Sequence, residues 1–175
     1  MGKTKAPVYM KNPIRKRRPK PSAERPLELL ATSSNEETLA TLGLSASDAP
    51  SFASMALKYL HSGDDETALA ASHIAIAADP SSSDVASAAA AWFVRGCVHG
   101  RRKQNFEALH AFTRVVELRP DDTAAWVFIG ELHLSTLSYQ FAALAFERAL
   151  KLDPKGATAA GQRAHALVAK TLLTV

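Results

Sequence analysis

The residues best suited to metal or covalent chemistry are six histidines and one cysteine, and their spacing supports neither use. His61, His73, His99, His110, His133 and His165 include no i, i+4 pair on one predicted helix, the spacing with which a helix offers two ligands to zinc. Cys97 has no sequence partner that marks it as a nucleophile. A lone cysteine also makes neither an internal disulfide nor a cysteine-based zinc site, so Cys97 reads as a small packed residue in a reducing compartment. Asp64-Asp65-Glu66 and Asp121-Asp122 fall at predicted helix starts, where the helix dipole accounts for acidic residues. With no catalytic constellation, neither an enzyme nor a cofactor is expected.

What remains is charge. Residues 1–25 carry nine Lys/Arg against Glu24, a surplus of eight positive charges, whereas the other 150 residues are net negative by four. Pro7, Pro13, Pro19, Pro21 and Pro26 interrupt this segment, and self-repelling charge opposes its compaction, so residues 1–26 are expected to be a disordered basic tail. Arg15, Lys16, Arg17, Arg18 and Lys20 form its dense cluster. The cluster fits a nuclear-import signal, or a nucleic-acid or ribosomal contact, since phosphate neutralisation needs only charge. Tyr9 is the sole aromatic there, so base stacking is not indicated. Location in the nucleus or cytoplasm follows. No apolar run approaches the ~18 residues of a membrane span, so no membrane partner is expected.

These groups must be positioned by helices. Residues 27–47 read as a linker with one short helix carrying Leu39 and Leu42, whose capping-box spacing is Ser34 to Glu37 and whose end is Gly43. From residue 48 onward the Ala-rich sequence is helical throughout, punctuated by Pro50, Gly63, Pro80, Pro120 and Pro154. Trp92, Gly96, His99, Ala108, Phe112 and Pro120 recur 34 residues later as Trp126, Gly130, His133, Ala142, Phe146 and Pro154. A weaker copy precedes them: Phe52, Ala56, Tyr59, Gly63, Ala68, Ala75 and Pro80, with Ser72 where the others have Phe. Its proline lies 40 residues before Pro120, an excess of six assigned to the region of Ser81 to Ala86.

The run Trp126-x-x-Ile129-Gly130-x-x-His133, then Ala142, Phe146 and Pro154, resembles the tetratricopeptide repeat, a helix pair that stacks on copies of itself. The resemblance covers about residues 49–172. It implies an all-α, right-handed α-solenoid of about three helix-turn-helix repeats (about 49–82, 89–122 and 123–156) with a capping helix at 157–173, all within a repeat domain over 48–175. The small Gly130 would admit the second helix at Ala142, with Trp126 and Phe146 filling the flanks. Two departures stand out: His99 and His133 replace Tyr, and Arg95 replaces an apolar residue, so Arg95 needs a partner such as Glu107 or an exit to solvent.

The resemblance also implies a function: a non-enzymatic adaptor or scaffold that binds a partner's helix or peptide in its concave groove, within a larger multi-subunit complex or alone. Carried over unit by unit, the groove positions include Leu57, Phe93, Cys97, Val127, Glu131 and, at the margin, Leu134 and Arg101. The family's carboxylate clamp for chaperone C-termini needs Lys, Asn and Arg where this chain has Ala53, Leu57, Val94, Ala124 and Phe128, so an apolar groove suited to an amphipathic helix is expected instead. The alternative is a ribosome- or RNA-associated assembly factor that binds through its tail. The groove itself has two candidate occupants, a helix of another protein or, in cis, the Leu27 to Leu44 segment.

Overall fold

The computed structural model describes residues 43–172; the basic cluster at Arg15 to Lys20 and the short helix expected at Leu39 and Leu42 lie outside them. A 3-10 turn at Ala46–Asp48 leads into seven α-helices among the described residues: α1 Ala49–Ser62, α2 Asp65–Ala78, α3 Val85–Arg101, α4 Asn105–Leu118, α5 Thr123–Ser135, α6 Tyr139–Leu152 and α7 Ala159–Leu172. They pair as hairpins α1/α2, α3/α4 and α5/α6, each second helix packs on the next hairpin's first, and α7 closes against α5 and α6. No described helix is long and apolar enough to cross a membrane.

Glycine sets the closeness of the last two pairs. A Cβ on Gly96 would lie 2.7 Å from the Phe112 ring, and one on Gly130 only 2.5 Å from Phe146. The residue opposite the glycine is thus the phenylalanine and not Ala142, which the sequence had placed there. Ring-on-glycine contact removes the ring from water without a gap, and both rings are about 1% exposed. At the equivalent positions of the first hairpin stand Ala56 and Ser72, both fully buried. Where the ring is missing, so is the glycine that accommodates it. The hydroxyl of Ser72 donates to the Leu69 carbonyl at 2.7 Å, which satisfies it inside the core.

Turns between paired helices need a left-handed residue. Gly63 supplies it in the first hairpin with φ 82°, but Lys103 (φ 58°) and Leu137 (φ 59°) occupy that place in the other two. The linkers between hairpins use carboxylates. Asp79 accepts from the Ser81 and Ser83 hydroxyls and the Asp84 amide, and Asp153 accepts from Ala157 and Thr158 amides and the Thr158 hydroxyl. Asp84 and Asp122 cap α3 and α5 through their first-turn amides. The six extra residues are divided: α3 starts seven residues before Trp92, whereas α5 starts three before Trp126, and the linker grows from four residues to six.

Candidate functional site: the groove between α3 and α5

First helices do not approach each other evenly. α1 packs on α3 and α5 on α7, but α3 and α5 make no comparably close backbone approach. Aromatic rings hold them apart. Phe128 stacks on Phe112 (centroids 4.9 Å, planes 8° apart), and Phe93 meets both edge-on at 5.6 and 5.7 Å. Above these rings lies a cavity of about 680 Å³ lined by Cys97, Gly100, Arg101, Lys103 and Asn105 on one side and Phe128, Glu131, Leu132 and Ser135 on the other. That volume falls within the range of ligand and peptide sites.

Two of the three charged groups that line it, Arg101 and Glu131, are already paired, whereas Lys103 has no ion-pair partner among the described residues. Arg101 donates to Asp65 at 2.6 Å and reaches the Leu60 carbonyl, while Arg102 pairs with Glu66 at 2.6 Å. The acidic start of α2 therefore serves the basic turn after α3 as its partner. Glu131 is held by two bonds from Arg163 of α7, 2.6 and 3.0 Å, and the same guanidinium lies 5.5 Å from the Phe128 centroid. Asn105 donates to Ser135 at 3.1 Å across the mouth. The groove is therefore an apolar trough in which Arg101 and Glu131 are compensated and Lys103 stands free at one edge. Burial pushes the Cys97 thiol up to about 11, so it stays protonated at neutral pH, where it is neither nucleophile nor anion.

Of the six groove residues expected, Cys97 and Glu131 line the cavity. Phe93 does not line the cavity: it is half-buried rather than freely exposed, with its ring edge-on to the stacked Phe112 and Phe128. Leu57 sits one unit earlier, packed with Ala56, Leu60, Val94 and Val98 beside Cys97. Val127 and Leu134 are corrected. Val127 is 2% exposed and, with Leu134, belongs to the seal formed by Ala142, Phe146, Ala149 and Ala164, which α7 covers. The expected stripe was rotated by one residue: 127 and 134 face the cap, while 128, 131/132 and 135 face the trough. Both sets keep the i, i+3/i+4, i+7 spacing of one helix face, so spacing alone does not separate them.

The histidines are engaged locally. His61 Nδ1 lies 2.7 Å from the Leu57 carbonyl, His99 Nδ1 lies 2.8 Å from Gln104 Oε1, and His133 packs its ring on Phe141 at 5.4 Å. Among the described residues no group of three His, Cys, Asp or Glu could hold a metal ion.

No protein-family model matches the chain, and no curated protein does. Among solved structures it is similar to the first TPR of Spaghetti (RPAP3), determined bound to HSP90 peptide SRMEEVD. The identity is 18%, with a TM-score of 0.61, over 74% of this chain and 97% of that one. Stacked hairpins with ring-on-glycine packing, a sealing seventh helix and this likeness together give the chain the tetratricopeptide-repeat fold.

Proposed function

We propose that this chain is a protein-interaction adaptor that holds a short peptide segment of a partner in the α3–α5 groove. The observation that carries this reading is the trough itself: open, about 680 Å³, floored by Phe128 and Phe112, with Arg101 and Glu131 already paired. A guest that inserts an apolar side chain over Phe128 removes ring surface from water and displaces no ion pair. Similarity to a domain solved with a bound peptide supports a peptide as the guest. The phenylalanine floor, together with the pairing of Arg101 and Glu131, favours an apolar anchor as the main contact. We further propose that residues 48–175 act as the binding unit, and that Arg15 to Lys20 supply nuclear import or a second contact.

The test is selection of random peptides on the full chain, followed by crosslinking from a photoreactive phenylalanine at Ser135. Selected peptides should share an apolar anchor and should crosslink from Ser135 but not from Glu117, which is exposed on α4. Equal crosslinking from both positions, or selection only on chains that retain residues 1–26, would remove support for the groove.

A further inference from the structure

On the face of α3 opposite Cys97 and Gly100, the second hairpin carries a smaller cavity of about 270 Å³ that shares no residue with the groove. Its floor is Trp92. The Arg95 guanidinium lies 4.7 Å from the indole centroid and that of Arg114 5.9 Å away, while His110 meets the indole edge-on at 5.5 Å. Phe106, 84% exposed, and Glu107 form the rim.

Two features set this place apart from its counterparts. Arg95 stands where the first hairpin has Met55 and the third has Ile129, so among the three hairpins the cation is peculiar to the second. Its Nε is buried without a hydrogen-bond partner, and Glu107, the partner the sequence suggested, is not bonded to it. A half-buried guanidinium with an unmet donor is costly unless an anion approaches it. The second feature is the linker. Trp126 donates its indole N–H to the Pro120 carbonyl at 3.0 Å, but no such bond holds Trp92, which the longer linker and the longer start of α3 set six residues further along the chain. The Trp92 indole, its N–H without a protein acceptor among the described residues, and an arginine thus stand together at an open cavity.

We propose that this cavity is a second binding site, for a carboxylate side chain of an acidic peptide segment. The carboxylate pairs with the Arg95 guanidinium and accepts from the Trp92 indole, and its methylenes lie on the rings of Trp92 and Phe106. A monoanion suits the site better than a phosphate. Arg114 is already bonded to Glu117, so Arg95 is the cation of the cavity without a carboxylate partner, and Glu107 on the wall opposes a second negative charge. His73, whose pKa is lowered to about 4 by burial and by Arg95 and His99, adds no charge at neutral pH. The site is independent of the groove and of the reading given to it.

Titration of the full chain with a capped tetraglutamate peptide, followed by NMR of the side-chain N–H groups, tests this. The expected result is a saturable displacement of the Trp92 indole and Arg95 Nε signals with Trp126 unmoved. Arg95→Met, which installs the residue of the first hairpin, should weaken binding by about tenfold or more. Glu107→Gln alters an exposed side chain and should strengthen it by about twofold. Equal movement of both tryptophans, unchanged affinity in Arg95→Met, no gain in Glu107→Gln, or tighter binding of a capped phosphothreonine peptide or of oligouridylate would each overturn the assignment.

Discussion

Arg163 and Glu131 join the sealing helix to the wall of the groove: one guanidinium makes two bonds to one carboxylate and also rests on Phe128. The contact orients α7 and closes one end of the trough with a compensated charge. Because Arg163 is about half exposed, solvent screens the pair.

Arg163→Ala should therefore destabilise the chain by only about 0.5–1 kcal/mol, and the difference should shrink in 1 M salt. Urea unfolding at two salt concentrations measures this. A salt-independent loss would mean that packing of the arginine stem on Phe128 dominates.

Two glycines of one helix make opposite predictions. Gly96→Ala drives a methyl into the Phe112 ring and should cost about 1–3 kcal/mol, although alanine is the better helix former. Gly100→Ala meets nothing within 4 Å and should stabilise by about 0.5–1 kcal/mol. Thermal melts of the two variants must move in opposite directions.

Leu137 is 70% exposed and carries a left-handed backbone that glycine provides in the first hairpin. Leu137→Gly should raise stability by about 0.5–1 kcal/mol through relief of that conformation. A lower melting temperature would show that the exposed side chain makes contacts worth more than the strain.

Asp79 is held down to about 2, against an ordinary 3.8, chiefly by the Asp84 amide and the Ser81 hydroxyl. A carboxyl whose folded pKa is lower than its unfolded one contributes stability above the unfolded value and loses it as the pH falls through the folded value. Asp79→Asn should thus be less stable than the parent at pH 7, and the gap should close between pH 4 and about 2. A gap in melting temperature that stays constant over that range would contradict the assignment.

The helices were legible because proline, glycine and capping aspartates punctuate an alanine-rich sequence at fixed spacing. Asp84 and Asp122 begin α3 and α5 as their positions suggested. The groove was less legible for a physical reason. In Thr123–Ser135 apolar residues lie on every side of the helix, so hydrophobicity does not distinguish the face under α7 from the face over the trough, and the repeat pattern points to Val127 where Phe128 serves. Nor did the sequence show that three phenylalanines from α3, α4 and α5 meet, since Phe93 and Phe128 stand 35 residues apart, one out of step with the repeat. Arg163 falls on the capping helix at the position of Ile129 in the third unit, and that register does not reveal that its guanidinium reaches back to Glu131.

The measurement that bears most directly on the groove is the affinity of a selected peptide for Gly100→Leu. Gly100 lines the trough and a side chain there meets open space, so leucine fills the site without disturbing the packing beneath. The account predicts an equal or higher melting temperature together with at least about a tenfold loss of peptide affinity. A variant that remains folded and binds the peptide as the parent does would show that the guest sits elsewhere.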